Sequence, residues 1–208
     1  MKALILYSLD SLPTTITALG GDRIAKALES LGVEVFQLDI WKCVQPLFQL
    51  QNLINKPDLI VYLGHGANDR LFGQLPWGLA IPLVDILTDE LLRGTITVTY
   101  ACESGRVLGP KAPSRAYFGS VEPYYVALTY PQHDFMTDFF ETWKVIPQAL
   151  VEGKTAGEAL SLYVKKCTEY INLYGLHLRD WDGAEEFQQF LTQNRDSFRL
   201  FGNADVKL

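Results

Sequence analysis

Two stretches decide the fold: DLIVYLGHG, residues 58–66, and TITVTYACESG, residues 95–105. Each starts as a strand-length run that is apolar or β-branched at nearly every position. Each ends in a residue that carries chemistry with glycine close by, His65 between Gly64 and Gly66 in the first and Cys102 three residues before Gly105 in the second. Strands of this composition are buried on both faces, as in parallel sheets. Working outward, Ala3 to Tyr7 is a third such run. Val33 to Leu38 is another strand candidate and Arg115 to Phe118 a weaker one, with Tyr124 to Leu128 as its candidate continuation. Helical periods separate them. Gly21 to Leu31 places Ile24, Leu28 and Leu31 on one side and stops at Gly32. Part of Pro46 to Ile54 and the stretch Leu83 to Leu92, ending at Gly94, read as two more helices. Strands alternating with helices imply a mainly parallel sheet covered on both faces.

The C-terminal third is more helical. Met136, Phe139, Trp143, Ile146 and Leu150 recur at spacings of three and four. Thr155-Ala156-Gly157-Glu158 is a capping box that opens a further helix, with Leu160, Val164, Cys167, Ile171 and Tyr174 on its apolar side. A short helix over Ala184 to Thr192 and a last strand over Ser197 to Gly202 complete the expectation. No repeat, linker or low-complexity segment interrupts residues 1–208, so one α/β domain is expected.

Composition excludes several classes. The 208 residues are 48 % hydrophobic and 20 % charged, ordinary values for a folded soluble chain. The formal net charge is −6 with no Lys/Arg cluster, which argues against nucleic acid as a partner. No apolar run approaches the roughly 20 residues needed to span a bilayer, and the N-terminus runs straight into a strand rather than a signal peptide. Three widely spaced cysteines, Cys43, Cys102 and Cys167, fit neither a disulfide framework nor a zinc site. A reducing cytoplasm, with no metal and no cofactor, is the expectation.

In parallel α/β sheets, sites gather beyond the carboxyl ends of the strands. That rule selects His65 and Cys102. A thiolate is a nucleophile and an adjacent imidazole handles its proton. The backbone N–H groups of Gly66 and Cys102 are candidates to hold an oxyanion. The bland reading of a strand-end cysteine is a small buried hydrophobe; it suits Cys167, on a helical apolar stripe, and Cys43, which has no histidine nearby in sequence. His133 and His177 lack a strand-end context.

Apolar strand, Gly-His-Gly, then apolar strand, Ala-Cys-x-Ser-Gly resembles the caspase-like cysteine peptidases. The gingipain and tetratricopeptide-associated branch is nearest. Ala116-Tyr117-Phe118-Gly119-Ser120 and Gly153 to Leu160 resemble its fifth strand and late helix start. Phe198 to Leu208 resembles its terminal strand region, with Asn203 and Ala204 where the family has Asp and Pro. Tyr100 and Glu103 flank Ala101-Cys102 where caspases carry Gln and Arg, so the resemblance implies no caspase-type preference for Asp.

The resemblance implies a three-layer sandwich with a six-stranded sheet. It also implies catalysis by a His65–Cys102 dyad through a thioester acyl-enzyme, and a peptide or protein substrate. The pocket for the residue before the scissile bond (P1) is implied at the ends of the first, fourth and fifth strands, near Asp10, Tyr100 and Glu122. Two acids there suggest a basic P1 residue. An activating partner or cleavage within Gly105 to Ser114 is a further implication. A class-I amidotransferase-like hydrolase is the wrong order, because its histidine follows its cysteine. A flavodoxin-like binder lacks its phosphate loop after the first strand. A catalytically silent interaction module is the remaining alternative.

Overall fold

The computed structural model describes residues 1–8, 11–39, 42–75, 79–126 and 135–208. Its main sheet has six strands in the order β2-β1-β3-β7-β8-β9. These are β1 (Lys2–Tyr7), β2 (Glu34–Leu38), β3 (Leu59–Leu63), β7 (Ile96–Tyr100), β8 (Ala116–Ser120) and β9 (Phe198–Gly202). All pair in parallel except β9, which lies antiparallel to β8. The expected α/β sandwich with a mainly parallel six-stranded sheet is therefore what the chain forms.

Alternation within the strands creates two cores. Ala3, Ile5, Leu59, Val61, Ile96, Val98, Ala116 and Phe118 face one side. There they pack against α1 (Leu12–Ser30), α4 (Phe135–Val151), α5 (Ala156–Asn172) and α6 (Ala184–Ser197). Leu4, Leu6, Ile60, Tyr62 and Tyr117 face the other side. That face is covered by α2 (Gln45–Asn55), the short α3 (Leu108–Lys111) and a small sheet of β4 (Gly66–Ala67), β5 (Arg70–Gln74) and β6 (Ala80–Asp85).

Two differences from the sequence expectation have physical causes. Leu83 to Leu92 is not a helix. Ala80–Asp85 is an edge strand paired antiparallel with β5, and Pro82 is tolerated because it sits at the edge. The Asp85 carboxylate then accepts from the N–H groups of Leu87 and Thr88 at 2.9 and 3.0 Å, a local turn that competes with helix, and only Asp89–Leu92 winds, as a 3-10 turn. Helix α1 starts nine residues earlier than Gly21. Ser11 caps it in a capping box with Thr14 rather than the usual Glu or Gln. Gly20 lies mid-helix because a Cβ there would meet the Trp143 ring at 2.5 Å, so it is the price of close packing between α1 and α4. Tyr124 to Val126 form no strand, and residues 127–128 lie outside the described residues.

Candidate active site

Strands β3 and β7 are neighbours, with Leu63 opposite Tyr100. His65 and Cys102 each stand two residues past that pair, on one rim of the sheet. The ladder persists one step further, since Gly64 N–H donates to the Tyr100 carbonyl at 3.4 Å.

His65 is fixed from both ends. Its carbonyl accepts from the Tyr62 hydroxyl at 2.7 Å and from the Phe72 N–H at 3.1 Å, which ties it to β5. Its ring Nε2 lies 3.1 Å from Ser11 Oγ. That hydroxyl is also the N-cap of α1, held by the Thr14 N–H, so a helix start orients the imidazole.

Cys102 stands in a turn with Glu103 in the left-handed region at φ 52°. The turn is stitched to the segment after β8. Glu103 N–H donates to the Glu122 carbonyl at 3.0 Å and Gly105 N–H to the Ser120 carbonyl at 2.8 Å. Beneath it, buried Ser104 Oγ lies 2.8 Å from Thr99 Oγ1. Cys102 is half-buried, and its Sγ accepts from the Tyr124 N–H at 3.3 Å. The thiol in turn faces the Tyr124 carbonyl at 3.7 Å, so the Tyr124 backbone meets the sulfur through both its polar groups. Gly66 touches the nucleophile turn directly: a Cβ there would lie 2.6 Å from the Cys102 carbonyl oxygen and 3.4 Å from its nitrogen.

These residues border a cavity of about 280 Å³. Gly64, His65, Tyr100, Ala101 and Cys102 come from the strand ends, Thr14 and Thr17 from α1, and Tyr124, Tyr125 and Val126 from the segment after β8. One buried side chain holds that last wall. Asn194 of α6 accepts from the Tyr125 N–H and donates to the Tyr125 carbonyl, both at 2.8 Å, while Phe190 stacks on the Tyr125 ring. The Tyr100 ring is stacked on Trp143 and Phe198, and its hydroxyl is committed to the Trp143 carbonyl at 2.6 Å.

The other sequence candidates that the structure describes stand apart from this border. Glu122 is exposed and pairs with Arg106 at 3.8 Å, outside the residues that border the cavity. Asp10 and His133 lie outside the described residues. Cys43 and Cys167 are fully buried, and burial pushes the Cys167 thiol up to about 12. His177 sits in the turn after α5. The segment from Gly105 to Ser114 contains α3 and is anchored through the Val107 and Leu108 N–H groups on the Asn68 carbonyl. Sequence reasoning missed Ser11 and Asn194. A Ser-x-x-Thr start gives only a faint capping signal, and nothing local marks Asn194 as a clamp. Among the described residues no group of three or more His, Cys, Asp or Glu is arranged to hold a metal, and no helix is long and apolar enough to cross a membrane.

No protein-family model matches the sequence, and no curated protein does. Among solved structures the chain is similar to gingipain R, described as an Arg-specific cysteine proteinase, with a TM-score of 0.60 at 14 % identity. The match covers all of this chain and 47 % of that one, so the chain spans about half its length. At that identity the likeness speaks for the fold: the chain has the caspase-like α/β architecture of that cysteine proteinase.

Proposed function

We propose that the chain is a cysteine endopeptidase working through a His65–Cys102 dyad. The observation that carries the reading is the placement of both residues two positions beyond the paired ends of β3 and β7, on the border of one cavity. The Cys102 thiol gives its proton to His65, and the thiolate attacks the scissile carbonyl carbon. The oxyanion is held by the N–H groups of Gly66 and Cys102. Collapse breaks the C–N bond, the leaving amine takes the proton from His65, and a thioester remains on Cys102. Water, losing a proton to His65, attacks the thioester, and the acid product leaves as the thiol is restored. Ser11 positions the imidazole throughout. The arginine specificity named for gingipain R belongs to that protein.

The test is labelling with peptide acyloxymethyl ketones together with cleavage of a fluorogenic peptide library. Wild type should label and cleave, and Cys102→Ala and His65→Ala should each lose both. Labelling that survives Cys102→Ala, or no reaction under any condition with calcium included, would leave the chain a silent interaction module.

A further inference from the structure

We infer that the cavity beside Cys102 selects an uncharged apolar or aromatic side chain at P1. The inference rests on the peptidase reading and adds a substrate class to it. Much of the border is apolar residues: Tyr100, Ala101 and the segment Tyr124 to Val126. The hydroxyls of Tyr100, Thr17 and Tyr124 are spent within the fold. Tyr100 donates to the Trp143 carbonyl, Thr17 to the Thr14 carbonyl at 2.9 Å, and the Tyr124 and Tyr163 hydroxyls lie 3.4 Å apart. Burial holds the Tyr100 and Tyr124 phenols far above the usual tyrosine range, so these two rings bring no charge to the border.

No carboxylate is among the described residues that border the cavity, and Glu122, expected to provide one, is turned to Arg106. An apolar side chain entering this space leaves water for matching surface. A guanidinium or ammonium would leave water without an opposite charge, which is strongly unfavourable. Because Asn194 fixes the Tyr125 backbone, the wall is built before substrate arrives, and selectivity needs no rearrangement.

The experiment is a fluorogenic tetrapeptide library varied only at P1. Phe, Tyr, Leu or Met should exceed Arg and Lys in kcat/KM by at least about tenfold, the scale on which apolar pockets discriminate. Arg, Lys or Asp as the fastest P1 residue overturns the inference, and a basic preference would bring Asp10 to the site. Binding of the same peptides, as amides, to the Cys102→Ala variant reads the pocket without chemistry. An apolar ranking there with no cleavage by wild type leaves the cavity's apolar selectivity standing and defeats the peptidase reading, and P1 with it; a flat or basic ranking defeats the inference whether or not the chain is active. Two substitutions on the wall, Val126→Glu and Tyr125→Glu, supply a carboxylate by independent routes. A soluble, folded variant of either kind should raise the Lys and Arg rates relative to Phe at least tenfold, and an unchanged ratio in both counts against the assignment.

Discussion

A methyl group on Gly66 would sit 2.6 Å from the carbonyl oxygen of Cys102, nearer than carbon and oxygen approach without movement of one backbone or the other. Gly66→Ala should therefore cost about 1–3 kcal/mol, the range for forced overpacking, and should displace the nucleophile turn. Denaturant unfolding reads the first effect and acyloxymethyl ketone labelling the second; a variant as stable and reactive as wild type would show that the contact is soft. The cysteines offer a second check. Native protein should take up iodoacetamide at Cys102 while Cys43 and Cys167 remain protected, because both are fully buried and the Cys167 thiol is pushed up to about 12. Peptide mass mapping identifies the site, and equal labelling of all three would contradict the burial. At this scale the shared rim of His65 and Cys102 was legible because each follows directly on a strand-length apolar run. Ser11 and Asn194 were not, because their partners lie 54 and 69 positions away in sequence, where no local pattern reports them.

The elements divide in the same way. Strands β1, β3 and β7 announce themselves by composition, and α5 by its capping box, whereas β6 carries an apolar run that fits either period and is decided by pairing with β5. Helix α1 connects folding to the site through its N-cap, Ser11. Ser11→Ala should cost about 1 kcal/mol of stability as a lost cap and should lower kcat more than it raises KM, since the imidazole loses its contact with the Ser11 hydroxyl. Ser11→Asp, which restores a cap, separates the two effects: recovered stability with kcat still reduced is the expected pattern. Helix α6 acts on the opposite wall. Asn194→Ala leaves the N–H and carbonyl of Tyr125 without their clamp and should cost about 1–3 kcal/mol. Its kinetic mark should be a raised KM with labelling of Cys102 retained, and a KM equal to wild type would show that the wall stands without it.

For the whole molecule, the helix-covered core contains Tyr100, Tyr124 and Tyr163, each buried and each held by desolvation far above the usual tyrosine range. The unfolded chain ionises these phenols near pH 10, the folded chain only well beyond it. Their contribution to stability is thus intact below pH 10 and falls as pH rises, by up to about 1.4 kcal/mol per pH unit for each tyrosine. An alkaline titration should show these tyrosinates appearing together with loss of far-UV circular dichroism; a smooth titration of all tyrosines near pH 10 in folded protein would refute it. The sandwich itself was readable from alternation of strand and helix, while the small sheet over its second face was not, because β4 has only two residues and β6 needs a partner to be a strand. The Asn194 clamp also has a consequence in time. Tyr125 leaves the ribosome 69 residues before the side chain that fixes it, a delay of roughly 3 to 14 s at 5–20 residues per second. During that interval a nascent chain holds Cys102 without a finished wall beside it, so chains stalled short of Asn194 should bind peptides at this cavity more weakly than full-length chains do.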